Sequence, residues 1–289
     1  MKQIAFATYD TCPGLIEDDR QVMAPLESLG FTVTPLVWDQ SEPLLERFDA
    51  VVIRSCWDYH LKTMAFRSWI DRLEALRIPV WNPAPVLRWN LEKTYLAALA
   101  SRGALLPKTV WLERGAKVNL AQVLQDHCLE SAVVKPSISL SAYRTWRTSP
   151  AEAPGQQAAL DALLEDCGAM LQAFVPEVLT GGELSLVFFG ERYSHSVRKR
   201  PRAGDFRVQE EFGGTRERLV PSPSIIRQAE AILETIDHPL LYARVDGIEV
   251  NGALMLMELE LIDPVLFFHL SPEAPERFAR TLVEYFSRG

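Results

Sequence analysis

Residues 242–264 read YARVDGIEVNGALMLMELELIDP, and this stretch decides how the C-terminal part of the chain folds. Apolar runs on both sides of Asn251-Gly252 predict two β-strands, at 240–250 and 254–262, joined by a turn. Glu258 and Glu260 lie two residues apart, so a strand places both carboxylates on one face. Acids in so apolar a run are costly without a positive partner, and together with Asp246 they predict a magnesium site. The alternative is a half-exposed strand with solvated glutamates.

The turn decides whether these three acids can meet. A two-residue turn would pair position 246 with position 257, and Asp246 would then point to the face opposite Glu258. Convergence requires either a three-residue turn with Gly252 in the left-handed conformation or a β-bulge. We predict one of these two arrangements.

The first 84 residues alternate between strand and helix patterns. Strands are predicted at 4–8, 31–37, 50–53 and from 80 onward, with helices at 21–29 and 63–76. This alternation predicts a parallel sheet with helices on its faces. The sequence NPAP at 82–85 disfavours a continuing helix, and we place a domain boundary there, between residues 84 and 85.

Polar and aromatic residues directly follow the predicted strand 50–53. They lie at the carboxyl end of a parallel sheet, where ligands usually bind. This position predicts substrate contacts, and Arg54 could clamp a carboxylate; the alternative is a loop packed against the next domain. The candidates are Arg54, Ser55, Trp57, Asp58 and Tyr59.

Beyond the boundary, the patterns predict a longer mixed region. Helices are predicted at 87–101, 120–125, 160–166, 222–236 and 272–287, and strands at 108–112, 131–135, 169–175 and 184–189. Gly103 is a candidate C-cap, Ser222 or Ser224 a candidate N-cap, and 149–157 a predicted loop.

Three further stretches contain candidate ligand-binding residues. Lys93 lies on the predicted helix 87–101 and Lys135 ends an apolar strand; the alternatives are a solvated lysine and one that extends to the surface. The strand in LQAFVPEV ends at Pro176, where its backbone could meet an adenine edge. In SVRKRPRAGDFRVQEEFGG, a structured loop could bind phosphate or carboxylate, although a solvated basic face is the usual alternative. Its basic residues are Arg198, Lys199, Arg200, Arg202 and Arg207.

Composition and charge narrow the functional classes. The formal net charge of -8 disfavours a nucleic-acid partner. No stretch of about 20 uncharged apolar residues predicts a membrane span. The four cysteines form no CxxC pair or zinc pattern, so free thiols are expected. We expect a cytoplasmic protein.

The order of these features resembles the ATP-grasp superfamily, in particular the glutathione-synthetase-like ligases, over residues 85–289. Over nearly the full chain, the motifs RSCWDYH, RWNLEK, HSVRKRP, GDFRVQ, YARVD and MELELIDP resemble the ATP-grasp group that contains the D-cycloserine-forming cyclo-ligase. The resemblance implies an α/β fold. A parallel-sheet pre-ATP-grasp substrate domain at 1–84 would precede a two-lobed ATP-grasp domain at 85–289, with a lid subdomain at about 106–173.

The resemblance also implies roles for individual residues. The γ-phosphate and acyl phosphate would face Arg198 and Arg207, and the substrate carboxylate would face Arg244. The magnesium ligands would be Asp246, Glu258 and Glu260, the last at a position where the family often has asparagine. The loop 137–144, SISLSAYR, departs from the family because it has no glycine, although its hydroxyls could still cap phosphates. The nucleotide contacts would be Lys93, Lys135, Ser137, Gln172, Ala173, Phe174, Val175 and Glu183.

The activity implied is an ATP-dependent carboxylate–amine ligase that activates a small amino-acid-like carboxylate as an acyl phosphate. It would use ATP and two Mg²⁺ ions, with Mn²⁺ as an alternative, and release ADP and phosphate. Two other functions stay open: an intramolecular cyclo-ligase of the D-cycloserine-forming type, and a non-catalytic nucleotide-binding module. The expected partners are a small-molecule carboxylate and an amine, without nucleic acid or membrane, and a homodimer is an option.

Overall fold

In the computed structural model, which describes residues 1–40 and 42–287, the N-terminal part forms a parallel sheet, the first sheet. Its strands are β1 (Lys2–Thr8), β2 (Phe31–Val37), β3 (Ala50–Ser55) and β4 (Val80–Trp81), in the order β2-β1-β3-β4. All three pairings are parallel, as the strand–helix alternation predicts. The accompanying helices are α1 (Glu17–Arg20), α2 (Met23–Ser28) and α3 (Thr63–Ala75).

Two short helices, α4 (Ala84–Asn90) and α5 (Tyr95–Ser101), lead into the antiparallel second sheet. Its strands are β5 (Thr109–Leu112), β6 (Ala132–Pro136), β7 (Trp146–Thr148) and β8 (Ala169–Ala173), in the order β5-β8-β6-β7. Helices α6 (Leu120–Asp126) and α7 (Ala153–Asp166) pack on it through an apolar core of their own. The boundary predicted at 84/85 and the predicted lid limits stay predictions.

The third sheet is antiparallel and contains the acidic strand pair. Its strands are β9 (Glu183–Phe189), β10 (Arg192–Arg200), β11 (Thr215–Arg218), β12 (Tyr242–Val250) and β13 (Ala253–Glu260), in the order β11-β10-β9-β12-β13. Helices α8 (Pro223–Leu233) and α9 (Ala274–Phe286) complete this part. No helix among the described residues combines the length and apolar composition that a bilayer crossing requires.

The turn between β12 and β13 resolves the question of the three acids. Val250 pairs with Ala253, so the turn has two residues, and both Asn251 and Gly252 have positive φ, of 52° and 78°. A bulge follows, because Gly247 pairs with Leu256 while Asp246 pairs with Glu258. The prediction of a bulge is confirmed, and the three-residue alternative is wrong.

A glycine is required at this bulge. A Cβ added to Gly247 would lie 2.9 Å from the Met255 carbonyl oxygen and 2.7 Å from Leu254 Cδ1. The extra residue on β13 therefore brings the two backbones too close for any side chain at position 247. This local geometry places Asp246 opposite Glu258.

The first sheet is joined to the third by a buried polar clamp. Asn82 Nδ2 donates to the carbonyl oxygens of Tyr242 at 2.9 Å and Leu261 at 2.8 Å, and Asn82 Oδ1 accepts the Leu241 N–H at 2.7 Å. The Tyr242 hydroxyl lies 2.6 Å from the Ile53 carbonyl oxygen. The carboxyl end of β3 is thereby held beside the strands that carry the acids.

An aromatic core covers the same junction. Phe278 of α9 makes edge contacts with Phe6 of β1 and Phe189 of β9, with ring centroids 6.4 and 5.4 Å apart. All three are fully or almost fully buried within one apolar cluster. Such clusters are the main source of folding free energy, so the first and third sheets share one core.

Several predicted element limits are wrong, for identifiable reasons. The helix expected at 87–101 breaks into α4 and α5, because the Lys93 N–H donates to the Ser137 carbonyl oxygen at 2.7 Å. The loop expected at 149–157 ends earlier, because Pro154 lies in the first turn of α7, where proline is tolerated. Strand β10 occupies part of what was expected to be a basic loop. The Ser222 cap is confirmed by its hydroxyl, which accepts the Ile225 N–H at 3.4 Å.

Candidate active site

A cavity of about 490 Å³ lies between the second and third sheets. From the second sheet it is lined by β6 and β8 residues, including Lys135 and Gln172, and from the third by residues of β9, β12 and β13. Residues of two loops, 139–145 and 206–211, also line the cavity. A volume of this size is typical of a small-molecule site.

Asp246, Glu258 and Glu260 all line this cavity. Asp246 lies opposite Glu258 in the strand register, and Arg244 lies opposite Glu260. All three acids therefore lie on one face of the sheet and line the same cavity. The sequence left open which face of the sheet the Asp246 side chain points to. This side chain is almost fully buried in the cavity wall.

Internal cations balance these acids. Asp246 Oδ1 accepts from Arg244 Nε at 3.0 Å, and its Oδ2 accepts from Lys199 Nζ at 2.8 Å and Arg244 Nη2 at 2.9 Å. Glu260 also accepts from Arg244, and Glu258 accepts from Lys93. Every acid of the predicted metal site thus has a basic partner.

Burial and neighbouring charges shift the pKa values of Asp246 and Glu260 in opposite directions. Burial alone would raise the pKa of Asp246, but the positive charges of Arg244 and Lys199 outweigh it and hold that pKa well below its usual range. Burial raises the pKa of Glu260 to about 7, against the effect of Arg244 and with help from the Asp246 and Glu258 carboxylates. Glu260 is therefore the acid that a further cation would stabilise most in its charged form.

The three acids do not all have an oxygen available to a divalent cation. Among the described residues, no group of three acidic, histidine or cysteine side chains is preformed around one metal position. Glu258 and Glu260 each use Oε1 for a basic partner, while their Oε2 atoms make no hydrogen bond to any described residue. Both oxygens of Asp246 are occupied. Glu258 and Glu260 fit a magnesium ion; Asp246 fits one only if Lys199 or Arg244 moves.

Two of the expected nucleotide contacts lie at the same end of the cavity. Lys93 lies in the turn between α4 and α5, not on a helix, and its side chain lines the cavity. Lys135 Nζ donates to Gln172 Oε1 at 3.0 Å, and burial lowers its pKa. Because no acid is paired with Lys135 among the described residues, it lies ready for an anion.

Lys199 was one of the five basic residues of the predicted loop, but it was given no role of its own. Its Nζ lies 2.8 Å from Asp246 Oδ2 and 2.5 Å from Glu183 Oε1, so Glu183, an expected nucleotide contact, binds a lysine. The predicted Arg198 does not line the cavity, because alternation along β10 turns its side chain to the other face, 3.6 Å from Glu217. If residues 192–200 had been recognised as a strand, its alternation would have predicted that Lys199, and not Arg198, lines the cavity.

The far end of β8 forms an apolar wall. Gln172, Ala173, Phe174 and Val175 all line the cavity, and Phe174 and Val175 belong to a small apolar cluster with Ile248. The Ala173 and Phe174 N–H groups donate to the carbonyl oxygens of Lys108 and Ser131, at 2.8 and 2.9 Å. These two N–H groups are therefore used by the fold and are not free for a ligand.

Several predicted residues contribute to the fold and do not line the cavity. Arg54 is fully buried, and its guanidinium donates to Asp19 Oδ1 and to the Pro264 carbonyl oxygen. It cannot clamp a substrate carboxylate, because Asp19 already occupies that role. The hydroxyl of Ser55 contacts Thr8, and Asp58 binds Lys62 and the Trp38 indole N–H. Tyr59 stacks on Phe66, and Ser137 is buried without facing the cavity.

Two predicted residues beside these do reach the cavity. Trp57 lines it and donates its indole N–H to the Asp263 carbonyl oxygen at 3.2 Å. Arg207 lines it from the loop 206–211, where its Nη2 lies 2.8 Å from Asp205 Oδ2. Their roles as substrate and phosphate contacts stay predictions.

The cavity wall also contains residues that the sequence patterns did not single out. They come from α1, from β11 and from the segment after β13, which are far apart in the chain and follow no shared motif. Only the folded arrangement brings them together. They are Asp18, Arg216, Asp263, Phe267 and His269.

Comparison with known proteins agrees with this architecture. The family model for the N-terminal domain of the D-cycloserine synthetase DcsG matches residues 4–82. The cycloserine biosynthesis protein DcsG of Streptomyces lavendulae is 28% identical over 275 residues, which cover 89% of this chain and 90% of the relative. The crystal structure of D-cycloserine synthetase DcsG superposes with a TM-score of 0.88 and 26% identity, covering 98% of this chain and 99% of that one.

These matches identify the chain as a ligase with the ATP-grasp fold. A D-alanine–D-alanine ligase from Bacillus anthracis, solved in complex with ATP, has the same fold, with a TM-score of 0.73 and 16% identity over all of this chain and 98% of its own. The predicted recognition, fold class and enzyme class are confirmed by these matches. The ATP-grasp fold explains why the cavity lies between two antiparallel sheets, with the parallel first sheet beside it.

Proposed function

We propose that this ATP-grasp ligase uses ATP and Mg²⁺ to activate a small amino-acid-like carboxylate as an acyl phosphate, which a nitrogen then attacks. ADP and phosphate are the other products. The proposal is carried by one observation: an apolar wall, a set of lysines and arginines, and the carboxylates of Glu258 and Glu260 all line the same cavity. Each class of group matches one part of a magnesium nucleotide and an activated carboxylate.

The apolar wall suits an adenine ring. Phe174, Val178, Ile248 and Met257 line this end of the cavity. The Arg147 guanidinium lies 3.9 Å from the centroid of the Phe174 ring and holds it in place from behind. The Val175 N–H makes no backbone hydrogen bond to a described residue, so it is the hinge donor that remains for an adenine nitrogen.

Three lysines suit the phosphates. Lys93, Lys135 and Lys199 line the cavity at the β6–β9 side, and all are buried or half-buried. Lys135 has a lowered pKa from burial, and a phosphate oxygen beside it would supply the missing negative charge. Lys93 would exchange its contact with Glu258 for a phosphate oxygen, which frees that carboxylate.

Glu258 and Glu260 would hold magnesium, which would supply positive charge next to the transferred phosphoryl group. Their free Oε2 atoms are the ligands that this arrangement offers. Asp246 has a different task, because its contacts fix Arg244 and Lys199 in the cavity wall. The proposal includes two such magnesium ions.

The arginines suit the reacting carboxylate. In the first step a carboxylate oxygen attacks the γ-phosphorus and ADP leaves. In the second, a nitrogen attacks the acyl carbon and phosphate leaves with the bonding electron pair. Arg244 and Arg207 line the cavity and would stabilise the negative charge of both steps. The loops 139–145 and 206–211 would exclude water that could hydrolyse the acyl phosphate.

The test measures ADP release against a panel of amino acids, with and without an amine acceptor. We expect Glu258→Gln and Lys93→Met to reduce ADP release by about 100-fold or more, since each removes a group that acts on the transferred phosphoryl. Glu249→Gln is the matched control, because Glu249 lies on β12 but is exposed to solvent. Full activity of Glu258→Gln would refute the proposal.

A second candidate is closure of a ring within one substrate. It is favoured by the similarity to DcsG, which covers 89% of this chain and includes a separate match to the N-terminal domain. The same panel distinguishes the two reactions. Turnover with a single substrate supports cyclisation, and dependence on a second, nitrogen-bearing substrate supports joining.

A further inference from the structure

His269 and Asp18 form a hydrogen-bonded pair in the wall of the cavity. His269 lies in the 3₁₀ turn Phe268–Leu270, which follows β13 in the chain. Asp18 lies in helix α1, which follows strand β1. His269 Nδ1 lies 2.7 Å from Asp18 Oδ1, and both residues line the cavity. The proposed chemistry of the preceding section assigns no role to either residue.

The Asp18 carboxylate is held in a fixed orientation. Its Oδ2 accepts the Phe268 N–H at 3.1 Å, and its Oδ1 accepts the His269 N–H at 3.0 Å as well as the imidazole contact. The Asp18 side chain is 9% exposed, whereas that of His269 is 42% exposed. A rigid, buried partner therefore orients a ring that is open to the cavity.

This geometry fixes the tautomer of the imidazole. An ionised carboxylate only accepts hydrogen bonds, so His269 Nδ1 carries the proton that points to Asp18. Nε2 then has the free lone pair and can take a proton from a ligand. A carboxylate that holds an imidazole in this way also stabilises the imidazolium that forms.

Positive charge lies next to this pair. The guanidinium carbons of Arg216 and Arg244 lie 5.3 and 5.4 Å from the centroid of the Phe267 ring, two residues before His269. Arg244 is one of the cations proposed to stabilise the acyl phosphate. A proton acceptor thus lies at the same end of the cavity as groups that hold the electrophile.

We propose that His269 is the base that accepts the proton of the attacking nitrogen, and that Asp18 is its positioning residue; this inference rests on the proposed function. As the nitrogen forms its bond to the acyl carbon, its proton passes to Nε2 of His269. The carbon–oxygen bond to phosphate breaks, and phosphate leaves with the electron pair. The imidazolium then releases its proton to solvent through its exposed edge.

The experiment separates activation from bond formation. Hydroxylamine is largely unprotonated near neutral pH and traps an acyl phosphate as a hydroxamate without a base. For His269→Gln we expect hydroxamate formation close to that of the wild type and a loss of amide product of about 100-fold or more. His127→Gln, an exposed histidine outside the cavity, should leave both unchanged.

Asp18→Asn tests the positioning role by a readout that a purely structural contact would not move. Asp18→Asn should lower amide formation while hydroxamate formation stays close to that of the wild type, and Asp18→Glu, which keeps a carboxylate, should restore part of the amide product. Amide formation at the wild-type rate in Asp18→Asn, or no rescue by Asp18→Glu, would refute the role of Asp18.

The outcomes distinguish this inference from the proposed function. A wild-type enzyme that forms no hydroxamate with any amino acid would overturn the proposed function itself. A wild-type enzyme that forms hydroxamate, with a His269→Gln variant that still forms amide product, would overturn only the role of His269. Equal losses of hydroxamate and amide in His269→Gln would also overturn it, because the histidine would then act before or outside the proton transfer.

Discussion

Replacing Arg54 with methionine removes a buried guanidinium from the junction of the first and third sheets. Its Nε and Nη2 donate to Asp19 Oδ1 at 3.0 and 2.8 Å, and Nη2 also donates to the Pro264 carbonyl oxygen at 3.0 Å. The guanidinium carbon lies 5.0 Å from the centroid of the Tyr242 ring. Arg54→Met leaves the Asp19 carboxylate buried without its counter-charge.

The expected loss of stability follows from that unpaired carboxylate. Breaking a buried ion pair from one side costs about 3–5 kcal/mol, and both side chains of this pair have no exposed surface. For a chain of this length each kcal/mol shifts the melting temperature by about 2–4 °C. We therefore expect the midpoint to fall by roughly 6–20 °C in Arg54→Met.

Urea unfolding of single and double variants measures this effect. In the double variant Arg54→Met/Asp19→Leu the uncompensated charge is gone, so part of the lost stability should return. Lys2→Met is the control, because the Lys2–Asp49 ion pair lies at the surface of the same sheet and should contribute less than about 1 kcal/mol. An Arg54→Met variant with unchanged unfolding but a raised KM for the substrate carboxylate would refute the structural role and restore the predicted clamp.

Two further predictions concern stability. His195 is buried, its Nε2–H donates to the Leu266 carbonyl oxygen at 2.8 Å, and burial lowers its pKa to about 4. The unfolded chain therefore binds more protons than the folded one between pH 6.5 and 4, and the unfolding free energy should fall by about 2 kcal/mol from pH 7.5 to 5. In His195→Gln the fall should be clearly smaller. Equal slopes of unfolding free energy against pH for the two proteins, measured by urea unfolding, would contradict this. Gly155 lies within α7 with no atom within 4 Å of an added Cβ, so Gly155→Ala should raise the unfolding free energy by about 0.5–1 kcal/mol, and a lower melting temperature would count against it.

The acidic strand pair could be predicted from the sequence because its constraints are local. The spacing of Glu258 and Glu260 fixes a shared face, and the pairing arithmetic around Asn251-Gly252 requires an irregularity if Asp246 is to join them. Both statements depend only on the two-residue period of a strand. The structure supplies the irregularity as a bulge beside Gly247.

Lys93 and Lys199 show where local patterns were insufficient. The helical pattern of 87–101 is real, but the Lys93 N–H bonds to Ser137 and the helix breaks there, which turns Lys93 toward the cavity. Basic residues with nearby glycines looked like a loop, yet 192–200 pairs with β9 and β11, and alternation selects Lys199 over Arg198. Both outcomes are decided by partners distant in the chain.

Arg54 was predicted as a substrate contact and is not one, whereas His269 lines the cavity and was not predicted. Both outcomes have the same cause. Arg54 has the right chemistry at the right edge of the sheet, but Asp19, 35 residues away, takes its guanidinium. His269 follows no motif, and only its contact with Asp18, 251 residues away, gives it an orientation. A residue type predicts what a side chain could bind, while its partner determines whether that capacity is available to a ligand.

The charge balance of the cavity leads to a final prediction about metal. Among the described residues, eight acidic and six basic side chains line it, so the protein itself offers no net positive charge to a polyphosphate. Coulomb repulsion between Glu258, Glu260 and the phosphates should therefore make ATP binding depend strongly on a divalent cation. By isothermal titration calorimetry we expect ATP to bind at least about tenfold more weakly with EDTA than with Mg²⁺, and Glu258→Gln/Glu260→Gln to narrow that difference, since removing both charges relieves the repulsion. Equal affinity of the wild-type protein with and without the metal would mean that its lysines and arginines alone hold the phosphates, and the magnesium assignment of these two glutamates would fail.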